Sequence, residues 1–79
     1  MTLDMLPPRR RAEIVTVDWA ALESAEAKRL QALGLDCGAR VAIAHRGVFA
    51  GRDPIALAVG RMTVAIRRVH ARAMTVREL

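Results

Sequence analysis

Few groups in this 79-residue chain are suited to metal or covalent chemistry: Cys37, His45, His70 and Asp53 stand out. Imidazole suits iron and zinc, so His45 and His70, with Asp53 as a further donor, are the candidates for a transition-metal site. A tuned site needs more ligands and a shell of supporting hydrogen bonds. The two histidines fall at a loop edge and in a connector, where exposure is expected, so no resident metal and no cofactor is expected. Cys37 is the single cysteine, which excludes an internal disulfide and makes a reducing compartment the natural home. A reactive thiol needs a lowered pKa and access. Arg40 is near in sequence, yet a lone cysteine in a turn is expected to carry no chemistry. No Ser/His/Asp arrangement, phosphate-cradling loop or paired-carboxylate spacing stands out. Gly34, Gly38, Gly47, Gly51 and Gly60 are scattered turn formers. The expectation is a protein that is not an enzyme and has no small-molecule substrate.

Binding is a better use for the residues that remain. The net charge is +5, and it is uneven. Residues 61–79 hold Arg61, Arg67, Arg68, Arg72 and Arg77 against Glu78, a net of +4, whereas Asp18, Glu23, Glu26 and Asp36 outweigh Lys28 and Arg29 between residues 18 and 36. Arg67, Arg68 and Arg72 form a basic connector suited to an acidic partner surface, where charge chiefly raises the association rate. The plain alternative is a solvated face. Val48 and Phe49 give a long loop an apolar tip, either a lid or part of a docking surface; with the three arginines they are the expected partner-binding residues. Modules that bind single strands or RNA place aromatics on the binding sheet. Here the only aromatics are Trp19 and Phe49, both outside the expected strands, which disfavours nucleic acid.

The elements that must position these groups can be read from composition and period. The length allows one domain, residues 1–79, and no apolar run approaches the ~20 residues of a membrane span. The basic cluster Arg9–Arg11 follows the apolar residues of the N-terminus, the wrong order for a secretory signal, so a cytoplasmic location is expected. Fifteen alanines and two aromatics leave aliphatic side chains to fill the core. Pro7 and Pro8 force an extended segment, and Ala12 to Val17 is rich in β-branched residues and reads as a strand. A helical turn at Trp19 precedes a helix over Ala25 to Leu33, with Ser24 as N-cap and Gly34 as a left-handed C-terminal cap. Alternation then takes over: strands around Val41 and Ile43, at Ile55–Val59 and at Met62–Ile66, the last two joined by a tight turn at Gly60-Arg61. A basic connector, Arg67 to Ala73, leads to a short strand, Met74 to Val76. Five short strands and one inserted helix predict a mainly β chain, a small SH3-like barrel.

The run Arg29-Leu30-Gln31-Ala32-Leu33-Gly34-Leu35-Asp36-Cys37-Gly38-Ala39-Arg40-Val41 resembles the RL-x-x-LGL-x-x-G-x-x-V signature of the FeoA family, ferrous iron transport protein A. Asp53-Pro54-Ile55, Val64-Ala65-Ile66-Arg67, the pair Ala71 and Val76, and the opening Leu3, Leu6 and Pro8 resemble further elements of that family in the same order. Arg9 stands where the family usually has glycine, and Cys37 where proline is common. The resemblance implies a cytosolic SH3-like accessory to ferrous iron uptake in bacteria, acting by protein–protein contact with a FeoB-like transmembrane GTPase on its cytosolic side. The first alternative is a DtxR-like C-terminal regulatory module acting alone. A basic SH3-like nucleic-acid-binding domain is the alternative from another class.

Overall fold

The computed structural model of the chain describes residues 1–46 and 54–79. Five strands, β1 (Arg11–Val17), β2 (Arg40–Arg46), β3 (Ile55–Val59), β4 (Met62–Ile66) and β5 (Met74–Glu78), and two helices, α1 (Ser24–Ala32) and α2 (Arg68–Ala71), follow one another with short 3-10 turns at Leu3–Met5 and Trp19–Ala21. All ladders are antiparallel, in the order β4-β3-β2-β1-β5. This is the mainly β barrel architecture expected from the alternation. The end strands β4 and β5 share no ladder and are joined through α2.

Curling five short strands around one core requires two of them to bend. The β1–β5 register shifts between Ile14 and Thr16, and the β2–β3 register shifts between Ile43 and His45. An extra residue on one strand bends it and increases its twist. Ile14 and Ile43, next to these bulges, are buried to within 1%. With Leu57, Ile55, Ile66, Met74 and the N-terminal Leu3 and Leu6 they form an aliphatic core with no buried polar or charged residue among the described residues. Alanine on β3 is not simply an outward face: Ala56 is 8% exposed and Ala58 is half-buried.

The α1–β2 connection follows from Gly34. Its φ of 91° is open to glycine and costly for other residues. In that conformation the Leu35 N–H donates to the Leu30 carbonyl at 3.0 Å and the Gly34 N–H donates to the Gln31 carbonyl at 3.0 Å. These are the paired bonds of a Schellman cap, and the accompanying apolar contact is supplied by Leu30 and Leu35, both fully buried. The cap thereby seats the helix on the barrel.

Three expectations need correction. Ser24 is not the N-cap: the Glu23 carbonyl already accepts the Ala27 N–H at 2.8 Å, so winding begins one residue earlier, and Glu23 holds the cap position without a side-chain bond. The connector after β4 contains a helical turn, α2, in which the Arg67 carbonyl accepts from the His70 and Ala71 N–H groups at 3.0 and 3.1 Å. One turn is too short to show a helical period, but it buries Ala71 completely. The last strand runs two residues beyond Val76 because β1 offers partners for both, Glu13 for Arg77 and Ala12 for Glu78.

Arg9, at φ 67°, is the one non-glycine residue in the left-handed region among the described residues. It is held there by its N–H donating to the Ile43 carbonyl at 2.9 Å. A left-handed residue with a Cβ costs roughly 1–2 kcal/mol, partly offset in glycine by its greater freedom when unfolded. Urea denaturation of Arg9→Gly is expected to show unchanged or higher stability, by up to about 1 kcal/mol. Gly34→Ala meets no atom within 4 Å, so its expected loss of about 1 kcal/mol is conformational and not steric.

Candidate docking surface

The basic residues singled out from the sequence gather on and around α2. Arg67 caps its N-terminus, Arg68 is its first residue and Arg72 follows its last turn. Packing accounts for part of this: Ala71 faces the core, Arg67 and Arg72 on either side of the turn are exposed, and Arg68 is half-buried. Arg72 Nε lies 3.7 Å from Asp4 Oδ2 on the N-terminal 3-10 turn. Arg77, farther along, pairs with Glu13 across the β1–β5 ladder. Part of the charge of residues 61–79 is thus matched within the fold. The other two expected partner residues, Val48 and Phe49, lie outside the described residues, as does Asp53.

His70 is not the exposed residue expected of a connector. Its side chain is only 12% exposed, and Nδ1 sits 3.6 Å from Glu26 Oε2 of α1. That exceeds hydrogen-bond length, and the buried Nδ1 has no hydrogen-bond partner. Glu26 is held from its other side by Arg29, whose Nε and Nη2 donate to the carboxylate at 3.2 and 3.0 Å. The hydrogen bond from Arg29 moves the Glu26 carboxyl below its ordinary value; burial opposes this, and the charges of Arg29, His70 and Arg67 add to it. Leu22, Glu26, Arg29, Arg67, Val69 and His70 line an open groove between α1 and α2. Its lining mixes the apolar Leu22 and Val69 with side chains of both charges, an arrangement suited to holding a peptide segment.

Sequence reasoning did not find Glu26 as a member of this surface. The Glu26–Arg29 spacing of three on a helix was a readable sign of a pair; its meeting with His70 depends on the tertiary packing of α1 against α2. Cys37 is exposed in the α1–β2 turn, and its N–H donates to the Asp36 side chain at 2.8 Å. His45 belongs to β2, its backbone opposite Ala56. No group of three or more histidine, cysteine or acidic side chains able to hold a metal ion is found among the described residues, and no helix there is long and apolar enough to cross a membrane.

A carboxylate with a depressed pKa contributes stability above its ordinary titration range and loses that contribution as pH falls through the lowered folded value. Thermal denaturation should therefore show wild type melting above Glu26→Gln near neutral pH, with the difference shrinking as the solution is acidified below the ordinary carboxylate range. The pair is surface-exposed, so the gap should also shrink with added salt.

Comparison with known proteins bears on what this surface serves. The model of the FeoA domain matches residues 1–78. No curated protein is matched. Among solved structures, the solution NMR structure of FeoA from Chlorobium tepidum is 36% identical, covers 100% of this chain and 70% of its own, and superposes with a TM-score of 0.83. The crystal structure of Stenotrophomonas maltophilia FeoA complexed with zinc is 31% identical over 98% of this chain and 89% of its own, with a TM-score of 0.81. That protein is described as a procaryotic SH3 domain protein and a candidate ferrous iron transport activating factor. Iron(II) transport protein A from Clostridium thermocellum, at 23% identity and a TM-score of 0.83 over 100% of this chain and 46% of its own, shares the fold.

Proposed function

The chain belongs to the FeoA domain family, and on that premise we propose that it is a cytosolic accessory of ferrous iron uptake, acting by contact with the cytosolic part of a FeoB-like transmembrane GTPase. The observation that carries the reading is the cluster of Arg67, Arg68 and Arg72 around one helical turn beside a mixed-charge groove, in a fold with no candidate catalytic constellation among the described residues. The family membership and the description of the Stenotrophomonas maltophilia protein as a candidate transport activating factor support it.

In this reading the chain performs no reaction of its own. The arginines steer an acidic face of the partner toward α2, since complementary charge mainly accelerates encounter. The apolar side chains then hold the docked state. Any effect on transport or on nucleotide hydrolysis arises from differential binding to one state of the partner, because a ligand shifts an equilibrium only by its difference in affinity for the two states.

Surface plasmon resonance with the soluble GTPase domain of a FeoB-like transporter from the same organism tests the reading. The triple variant R67E/R68E/R72E is expected to slow association by about tenfold or more at low salt, with a smaller change in dissociation. Phe49→Ala is expected to accelerate dissociation while the fold is retained. Absence of any wild-type binding would overturn the partnership, and a steep salt-dependent shift with duplex DNA or RNA would favour the nucleic-acid alternative. Anaerobic titration is expected to find no stoichiometric, submicromolar ferrous site on the isolated chain.

A further inference from the structure

The two edges of the sheet are treated differently. At β5 the outer edge is occupied by the chain's own first residues: the Val76 N–H donates to the Met1 carbonyl at 2.8 Å, and Thr2 bridges Thr75. That strand also carries the charged Arg77 and Glu78. At β4 neither device is found among the described residues. Its five residues, Met-Thr-Val-Ala-Ile, include no charge and no proline. An uncovered, uncharged edge strand is a template for another strand, and folded proteins usually blunt it with charge, proline or a covering segment.

The register identifies the groups involved. β3 and β4 are joined by the two-residue turn Gly60-Arg61, with Val59 opposite Met62, Ala58 opposite Thr63, Leu57 opposite Val64 and Ala56 opposite Ala65. The pair flanking a two-residue turn is hydrogen-bonded, and bonded and non-bonded pairs then alternate. Met62, Val64 and Ile66 therefore spend their backbone groups on β3. Thr63 and Ala65 turn their N–H and C=O groups away from it. Both residues are exposed, and no hydrogen bond to them beyond β3 is found among the described residues. Val64 and Ile66 on the other face pack into the core and keep the edge straight and fixed.

Charge selects the occupant. Arg61 stands at one end of this edge, and Arg67 and Arg68 at the other. In a pairing of two copies that satisfies all four outward groups, Thr63 opposes Ala65 of the second copy. Arg61 then opposes the other copy's Arg67, a destabilising juxtaposition of like charges. A partner strand with acidic residues at both ends meets the reverse situation. We propose that the edge of β4 is a docking site that accepts, as an added antiparallel strand, an extended partner segment with an uncharged β-branched centre flanked by acidic residues. The main-chain groups of Thr63 and Ala65 supply the binding, and Arg61 and Arg67 the selection. The proposal rests on the reading of the chain as a docking module and names the surface used.

The probe is a synthetic peptide of about eight residues, long enough at ~3.4 Å per residue to span Arg61 to Arg67, with alternating valine and threonine in the centre and glutamate at both ends. Titrated into the isotopically labelled full chain, it is expected to shift the Thr63 and Ala65 amides and to slow their hydrogen exchange by about tenfold. A peptide N-methylated at the positions facing the edge, and one with lysine ends, are expected to bind at least about tenfold more weakly. Ala65→Pro removes one outward N–H, a change tolerated on an edge strand, and should abolish the response while the remaining spectrum is kept. No shift at Thr63 and Ala65, or equal binding of the N-methylated peptide, overturns the proposal. So does concentration-dependent dimerisation of wild type that Ala65→Pro abolishes, which would assign the edge to a second copy. If the GTPase domain binds wild type and Ala65→Pro equally, the edge proposal fails and the partnership stands. If the peptide binds and the GTPase domain does not, the edge stands and that partnership fails.

Discussion

A sheet of five short strands encloses Leu57, Ile43 and Ile55 only if it curls, and β1 and β2 each curl at a one-residue bulge, beside Ile14 and Ile43. Everything else depends on that bend. It brings β5 back against β1 and leaves room between β4 and β5 for α2. It also lets the 3-10 turn at Leu3–Met5 close the end of the core with Leu3. The bulges cost ladder hydrogen bonds locally, and the cost is offset by aliphatic burial at roughly 25 cal/mol per Å². Among the described residues that core holds no polar or charged side chain, and the charged groups that the fold positions lie on its surface.

On that surface, α1 and α2 come together although they are inserted at opposite ends of the strand sequence. The Schellman cap at Gly34 fixes where α1 stops, and the burial of Ala71 fixes how α2 sits. Their meeting places the Glu26 carboxylate between Arg29 and His70. The arrangement is asymmetric: Glu26 has two donors from Arg29, while His70 Nδ1 has none. The groove they line thus has the Glu26 carboxylate and the Arg67 guanidinium among its charged groups.

Much of the fold was legible because its signals are local. Alternation at Val41–Ile43, Ile55–Val59 and Met62–Ile66, and glycine at the helix stop, each need only a few neighbouring residues to be read. The misread elements are those whose cause lies elsewhere in the chain. A single helical turn over Arg68–Ala71 has no period to detect. The two bulges arise from curvature demanded by the whole sheet, and the extension of β5 to Glu78 comes from partners on β1. The docking cluster shows the same division. Arg67, Arg68 and Arg72 are close in sequence and were visible, whereas Glu26 and His70 meet only after packing. Arg9 is instructive in between: its place in the family pattern marked a turn that prefers glycine, and the backbone there does have the positive φ that glycine would relieve.

The absence of polar groups from the core has a further consequence, for how such a chain diversifies. Among the described residues the core is made of leucine, isoleucine, valine, alanine and one methionine; it has no fixed side-chain hydrogen-bond partners to preserve, and apolar exchanges that conserve volume are tolerated. Most interior positions are therefore free to drift by compensating swaps. The burden of specifying shape falls on a handful of backbone positions, Gly34, Gly38 and Gly60 among them, whose positive φ values penalise most substitutions. Lineages of this barrel should be recognisable by their punctuation long after their vocabulary has been replaced.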